Sequence, residues 1–184
     1  WKILGSKKTH CINAWDFPRW KADVNDDRPV LKAFLKAMDD NGVDCIVTHN
    51  GKGFDEKHIE TRLLIHDMDA LHAGKHVDTR QIAKQSFYFI DNKLQTLGEE
   101  LFGERKLEHE GWDLWVKTHG GSKKRVIDTK AQAMMSRYCK QDVNLLEKVF
   151  KKFRRKMRGA NKVPNYNHYS AANGKVCPAC QSTR

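Results

Sequence analysis

The sequence predicts an α/β fold in which short strands alternate with amphipathic helices. Two short β-rich runs, at Val43–Thr48 and Val77–Thr79, are each followed by a stretch in which apolar residues have helical spacing. This alternation is typical of parallel strands joined by helices. The length of 184 residues suits one compact domain with an appendage, and the hydrophobic content of 39% is enough to form its core.

The N-terminal part is predicted to contain one strand and one helix. Lys8–Ala14 (KTHCINA) is predicted as the strand, and an irregular stretch rich in Trp, Asp and Pro follows it. The helix is expected to begin near Asp27, because acidic cap residues precede Pro29 in the first turn. Gly42 follows Asn41 and is expected to end it. The apolar residues of this segment recur at helical spacing: Val30, Leu31, Phe34, Leu35 and Met38.

Strands and helices are expected to alternate through the rest of the domain. The expected elements are a strand at Val43–Thr48, a helix at Asp55–His66, a strand end at Val77–Thr79 leading into a helix through Ala83, a helix at Asn92–Leu101 ending before Gly103, a helix or loop at His109–Lys117, and a long helix from Thr129 to Arg158. Residues 1–158 therefore form the predicted main domain, and residues 159–184 form a linker and appendage.

The composition argues against a membrane or secreted protein. Charged residues make up 31%, and no apolar run approaches the roughly 20 residues of a transmembrane helix. The first five residues do not form a signal peptide, so a cytoplasmic location is expected. Three cysteines, Cys11, Cys45 and Cys139, are scattered along the chain. That spacing favours reduced core thiols over a disulfide framework.

The net charge of +11 is concentrated at the C-terminal end. Ten Lys and Arg and no acidic residue occur from Lys148 to Arg184, which leaves 24 basic and 23 acidic residues before that point. A concentrated basic segment favours binding to a polyanion, because each phosphate contact releases counterions. Nucleic acid is therefore the expected partner; a solvated helix end is the alternative.

Asp55 is a candidate catalytic carboxylate. It follows a predicted strand and a Gly-containing loop, which places it beyond the carboxyl end of that strand. Open α/β sheets bind their ligands at that edge. The alternative is that Asp55 is only a helix N-cap, whose side chain accepts backbone N–H bonds and has no further role.

Asp142 is the second candidate. Tyr138 and Asp142 are four residues apart, so they share one face of the predicted helix, and this face continues through Leu145, Val149 and Phe153. A carboxylate on an apolar stripe loses part of its hydration and needs a cation or several donors. A bound metal ion is one solution, and an Arg or Lys partner is the other.

Together these residues fit one chemistry. Two-metal hydrolysis of phosphodiesters needs several carboxylates, contributed by separate elements, that converge on two ions. Carboxylates suit Mg²⁺ or Mn²⁺ because these are hard cations. A Tyr hydroxyl one helical turn from a ligand is suited to orient the attacking water.

Two motifs resemble those of RNase H-like 3′–5′ exonucleases that have an Asp-Glu-Asp-Asp metal site. Thr48–Asp55 (THNGKGFD) resembles the second motif, and Tyr138–Asp142 (YCKQD) resembles the third motif in its Tyr-containing variant. Segments between them, including Val77–Thr79, Asn92–Gly98 and Glu108–Trp112, are similar to predicted phage and bacterial exonucleases related to the proofreading domains of family B DNA polymerases. The resemblance covers roughly residues 1–155.

The resemblance implies a fold and a set of roles. It implies an RNase H-like mixed sheet flanked by helices. Asp55 and Asp142 would be metal ligands, and Tyr138 would position the water. Asn50 and Phe54 would lie near the 3′-terminal nucleotide, and His109 would lie near the site. Asp78 fits a structural cap as well as a site residue.

One part of the family pattern is missing. The first motif, Asp-x-Glu on the opening strand, does not occur upstream of Asp55, and Asp16 has no Glu two residues later. The chain also lacks an initiator Met. We therefore expect the chain to start after that strand and to hold half of its metal site, which would leave it nearly inactive. An inactive relative is the alternative.

Cys177 and Cys180 form one Cys-x₂-Cys pair near the end of the chain. A structural zinc site usually needs four ligands, commonly two such pairs, so this pair predicts a truncated zinc ribbon. His168 is a further candidate ligand. A disordered Cys pair without metal is the alternative.

The expected function is metal-dependent removal of nucleotides from the 3′ end of nucleic acid. DNA is favoured over RNA through the proofreading resemblance. Two alternatives remain: a non-catalytic module that binds nucleic acid through its basic helix and zinc ribbon, and an endonuclease or resolvase on the same fold.

Overall fold

The computed structural model describes residues 1–23, 25–71, 74–104, 111–119, 128–154 and 156–157. A short 3-10 turn at Ala14–Asp16 precedes the main elements. The helices and strands are, in chain order, α1 (Pro18–Ala22), α2 (Arg28–Asp40), β1 (Cys45–Thr48), α3 (Asp55–Ile65), β2 (Lys75–Asp78), α4 (Thr79–Ser86), α5 (Leu94–Phe102), α6 (Trp112–His119) and α7 (Thr129–Arg154). The predicted α/β class is therefore confirmed.

The sheet within the described residues consists of β1 and β2, which run parallel. Helix α3 connects them, as expected for parallel strands, which cannot be joined by a tight turn. The register pairs Cys45 with Lys75 and Thr48 with Asp78. The last residues of the two strands therefore lie side by side, and the loops that follow them leave the sheet at the same edge.

The main core lies between the strands and helices α4, α5 and α7. Its buried residues include Val77 from β2 and Ile82 from α4, and Leu97 comes from α5. The second half of α7 contributes Leu145, Val149, Phe150 and Phe153. Helix α7 packs against both α4 and α5. It therefore holds these two helices in place in the core that they share with Val77 of β2.

A smaller apolar cluster surrounds the first half of α7. Leu114 of α6 is buried there with Ala131 and Met135 of α7, and Trp15 and Tyr138 pack against them. Helix α6 thus fixes the N-terminal half of α7, while the main core fixes its C-terminal half. Among the helices of the described segments, none has the length and apolar character needed to cross a membrane.

Most element boundaries match the sequence prediction. Helix α2 follows the cap residue Asp27, has Pro in its first turn and ends at Asp40, just before Gly42. Helix α5 starts two residues later than predicted. It ends at Phe102, and the C-cap residue Gly103 has a φ of 66°, a left-handed conformation that glycine adopts readily. Cys11, Cys45 and Cys139 are half-buried and form no disulfide among the described residues.

The predicted strand at Lys8–Ala14 is wrong. None of its residues is part of the sheet. His10 instead exchanges backbone hydrogen bonds with Trp1, and the Thr9 hydroxyl donates to Oδ1 of Asn144 at 2.7 Å. The segment therefore docks on α7, and within the described part of the chain its backbone pairs with Trp1 and not with a strand of the sheet.

Other predictions differ from the structure in extent. Helix α7 ends at Arg154, earlier than the predicted end at Arg158. The mixed sheet implied by the resemblance is represented by two parallel strands in the described residues. His109, the Cys177–Cys180 pair and the whole 159–184 segment lie outside the described residues.

Candidate functional site

The candidate site lies at the carboxyl ends of the two strands. Thr48 and Asp78 end the strands as register partners, so the loop of residues 49–54 lies next to the start of α4. Ligands bind at this edge in open α/β sheets, because the loops there bring backbone and side-chain groups together. The geometry of the edge is set by four residues: His49, Asn50, Asp78 and Arg80.

Asp78 ties the two loops together. Its side chain is almost fully buried, with 2% exposure. Oδ1 accepts the backbone N–H groups of Asn50 and Arg80, each at 2.9 Å, and Oδ2 accepts that of Lys52 at 3.2 Å. The carboxylate also caps α4. These backbone donors balance the cost of burying the charge and fix the site loop against α4.

The loop after β1 has little conformational freedom. Asn50 adopts a φ of 69°, in the left-handed region, which Asn tolerates better than most residues. Gly51 is buried, and a Cβ at this position would lie 2.5 Å from Cβ of Thr48. The sequence Asn-Gly at this point is therefore required by the close approach of the loop to the end of β1.

His49 is the first residue of the loop, and its ring contacts α4 and the segment before α5. Its Nε2 lies 2.9 Å from the carbonyl oxygen of Asn92, and its Nδ1 lies 2.9 Å from Oγ1 of Thr79. Burial lowers the pKa of the imidazole below its ordinary value. Nε2 faces a carbonyl oxygen, which can only accept, so Nε2 carries a proton, while the Thr79 hydroxyl lies between Nδ1 and the carbonyl oxygen of Thr48, each at 2.9 Å.

Asp142 lies close to this loop. The side chain is half-buried on α7, and its Oδ1 atom is buried. Its charge raises the pKa of His49, in opposition to the larger lowering by burial. The prediction that this carboxylate is partly desolvated is confirmed. The structure thus brings Asp142, from the last helix, into electrostatic range of the loop that follows β1.

Asp55 occupies the first position of α3, and its side chain is exposed. The N-cap residue is Phe54, without a side-chain cap hydrogen bond, and Asp55 follows it as an acidic residue in the first turn. The adjacent Glu56 is held by His76 of β2, with Oε2 2.8 Å from Nδ1. Among the contacts of the described residues, none joins Asp55 to Asp142.

Tyr138 and Phe54 differ in their surroundings. Tyr138 is half-buried one turn before Asp142 and packs against the cluster of Leu114 and Met135. Phe54 is 57% exposed and makes an edge-to-face contact with His58, with ring centroids 4.4 Å apart. An exposed aromatic ring beside the loop is suited to stack on a nucleotide base.

The described residues alone do not form a complete metal centre. They contain no group of three or more His, Cys, Asp or Glu residues placed to hold an ion. Asp55 and Asp142 have the oxygen ligands that Mg²⁺ and Mn²⁺ prefer, but two carboxylates from separate elements are half of the set that the resemblance implies. The donor type fits a hard divalent cation, whereas the number of donors does not.

The sequence prediction left out several residues that build the site. The sequence does not predict His49 or Arg80 as site residues, and it predicts Asp78 as a structural cap as readily as a site residue. The structure shows that Asp78 is a cap that also holds the site loop. The available sequence signal for Asp78 and Arg80 was the Asp-Thr-Arg run that begins at the end of β2. The partners of these side chains depend on the parallel register of the two strands.

Comparison with known proteins gives one match. Residues 16–154 match a family model described as the RNase H superfamily. The matched span runs from the 3-10 turn to the last residue of α7 and includes Asn50, Asp55, Tyr138 and Asp142. No curated protein matches the chain.

Proposed function

This chain belongs to the RNase H superfamily, and on that premise we propose that it is a metal-dependent 3′–5′ exonuclease. The superfamily commonly carries nuclease activity and acts on nucleic acid, which makes phosphodiester hydrolysis the expected reaction. The finer assignment, to an exonuclease that starts at a 3′ end, rests on the two motifs that contain Asp55 and Asp142.

The observation that best supports a catalytic site is the half-buried carboxylate of Asp142, whose Oδ1 atom is buried and whose charge acts on His49 in the loop after β1. Asp142 acts electrostatically on His49, although the two residues belong to different elements far apart in the sequence. A half-buried carboxylate beside the carboxyl end of a strand is the arrangement expected of a catalytic group in an α/β sheet.

Asp55 and Asp142 are the proposed ligands of Mg²⁺ or Mn²⁺. A divalent cation held there would supply charge stabilisation for the phosphate and lower the pKa of a bound water. Because these two residues are half of the implied ligand set, further carboxylates have to complete the site. Tyr138, one turn before Asp142 on the same helix, is the proposed residue that orients the water.

Asn50 and Phe54 are the proposed contacts to the terminal nucleotide. The backbone of Asn50 is fixed by its hydrogen bond to Asp78, and its side chain is held by the hydrogen bond from Arg80, so the side chain loses little conformational entropy on binding. Phe54 exposes its ring beside the loop, where it can stack on a base of either DNA or RNA. The preference for DNA rests on the proofreading resemblance.

The test uses end-labelled and circular substrates. The protein expressed from its complete reading frame is incubated with Mn²⁺ and 5′-labelled single-stranded DNA, and the products are resolved by length. A 3′–5′ exonuclease gives a ladder that shortens progressively and leaves circular single-stranded DNA intact. Cleavage of the circle, or discrete internal fragments, would contradict the proposal and support an endonuclease or resolvase. Parallel RNA substrates test the preference for DNA.

A non-catalytic binding module is the second candidate. The observation in its favour is the basic charge near the end of α7, where Lys148, Lys151, Lys152 and Arg154 follow one another. Such a cluster binds phosphates without cleaving them. The same assay separates the two candidates, because a binding module retards the labelled strand in a gel but leaves its length unchanged in Mn²⁺.

A further inference from the structure

Arg80 lies at the edge of the sheet that carries the candidate site. It is the second residue of α4, two residues after the strand end at Asp78, and its side chain is half-buried. Its Nη1 donates a hydrogen bond of 2.8 Å to Oδ1 of Asn50. The guanidinium of α4 is thus in contact with the loop after β1, across the edge where the two strands end.

Arg80 and Asn50 are joined through their backbones as well. Their two N–H groups donate to the same oxygen, Oδ1 of Asp78, each at 2.9 Å. The pair is therefore linked once through a buried carboxylate and once through the side chains. The carboxylate fixes the two backbones relative to each other, and the side-chain bond to Asn50 orients the guanidinium, which is the preorganisation that tight recognition of a small group requires.

No carboxylate of the described residues forms an ion pair with Arg80. Neither Arg80 nor the neighbouring Lys52 takes part in any of the ion pairs found among the described residues. The Asp78 carboxylate is buried and already accepts backbone donors. A guanidinium stays protonated at any physiological pH and has five N–H donors, of which the bond to Asn50 uses one.

The contact also orients the amide of Asn50. Because Oδ1 accepts the bond from Arg80, the Nδ2 group is left with two donors on the other side of the amide. The guanidinium and this amide together present only donors and one positive charge. A phosphate group, with several acceptor oxygens and negative charge, is the chemical group that matches such a set.

We propose that Arg80 and the Asn50 amide bind a backbone phosphate of the nucleic acid strand at the candidate site. Arg80 supplies the charge and a forked set of donors, and Asn50 both holds Arg80 in place and adds a donor of its own. The inference rests on the proposed function for the class of ligand. It adds a specific phosphate contact by Arg80, a residue that lies outside both motifs.

Binding without cleavage is the direct test. The chain of residues 1–184 is titrated against a fluorescein-labelled single-stranded oligothymidine in EDTA, and the Kd is measured by anisotropy over a range of salt concentrations. Arg80→Ala is expected to weaken binding roughly tenfold at low salt and to lower the slope of log K against log salt by about 0.7, the value for one lost contact to a single strand.

Three further variants separate a phosphate contact from general charge. Arg80→Lys keeps the charge and is expected to retain the salt slope while binding several-fold more weakly, because an ammonium cannot form the fork. The effects of Arg80→Ala and Asn50→Ala should be less than additive in the double variant, since each residue positions the other. Lys36→Ala removes an exposed cation that pairs with Asp40 on α2 and should leave Kd unchanged.

An Arg80→Ala variant with wild-type Kd, or with weaker binding and an unchanged salt slope, would overturn the inference. If Arg80→Ala does not fold, Arg80→Lys decides: weaker binding at an unchanged slope supports the contact, and wild-type affinity overturns it. Failure of the proposed function is seen separately. Arg80-dependent binding combined with no cleavage in Mn²⁺ by the protein expressed from its complete reading frame contradicts the exonuclease only. Cleavage by that protein, combined with binding that ignores Arg80, contradicts this inference only.

Discussion

The buried carboxylate of Asp78 accepts a hydrogen bond of 2.9 Å from the backbone N–H of Asn50, which ties the end of β2 to the loop after β1. The same carboxylate caps α4. The Asp78 side chain thus determines the positions of the loop of residues 49–54 and of the start of α4, which together form the candidate site. The shape of the site therefore depends on a residue that lies outside both motifs.

Replacing Asp78 should be costly for stability. Asp78→Ala removes a helix cap and leaves the backbone N–H groups of Asn50 and Lys52 without their acceptor, so we expect a loss of about 3 kcal/mol in the free energy of unfolding. Urea denaturation measures it. Asp128→Ala is the matched control, because Asp128 accepts only two N–H groups at the start of α7 and should cost about 1 kcal/mol. Equal losses would contradict the linking role of Asp78.

Gly51 should not tolerate a side chain. A Cβ at this position would lie 2.5 Å from Cβ of Thr48, so Gly51→Ala must displace the loop and is expected to cost about 2–3 kcal/mol. At Gly53 the nearest atom is Oδ1 of Asn50 at 3.2 Å, which belongs to a side chain and can shift. Gly53→Ala should therefore cost less than about 1 kcal/mol. Thermal melts of both variants give the comparison, and an equally stable Gly51→Ala variant would show that the loop is not tightly packed.

The docking of the N-terminal segment on α7 should depend on pH. Burial alone would raise the pKa of Glu147, but hydrogen bonds from Lys151 and Lys2 and the backbone N–H of Gly5 lower it from 4.5 to about 2. A carboxyl whose pKa is lower in the folded state stabilises the fold above its unfolded pKa. That stabilisation is lost as the pH falls through the folded value.

Glu147→Gln tests this dependence. Between about pH 5 and pH 2 the wild-type chain should lose about 1–2 kcal/mol more stability than the variant, after allowance for solvent screening of the pair. Urea denaturation at a series of pH values measures the difference. Parallel pH profiles for the two proteins would mean that the ionised carboxylate contributes nothing to the folded state.

The local elements could be predicted because their signals are local. The start of α2 follows from Asp27 and Pro29, and its end follows from Gly42, since caps and turns depend on neighbouring residues only. The face of α7 that contains Asp142 followed from the spacing of its apolar residues. The same reasoning failed at Lys8–Ala14, because a strand needs a partner, and the partners of this segment are Trp1 and Asn144.

The contacts of the site could not be predicted in the same way. Arg80 meets Asn50 because the parallel register places Thr48 beside Asp78, and nothing in either segment specifies that register. The motifs indicated Asp55 and Asp142 separately. Their relation to His49 and to the buried Asp78 depends on how α7 packs over the strands, which is a property of the whole core.

The dependence of cleavage on Asp142 tests the central claim most directly. The protein expressed from its complete reading frame, its Asp142→Asn variant and the control Asp128→Asn are compared for the rate of Mn²⁺-dependent shortening of single-stranded DNA from the 3′ end. We expect Asp142→Asn to be slower by more than about a hundredfold, because even the outer partners of metal ligands typically cost 10- to 100-fold, and Asp128→Asn to match the wild type. An Asp142→Asn variant that shortens the strand at the wild-type rate would contradict the assignment of this site.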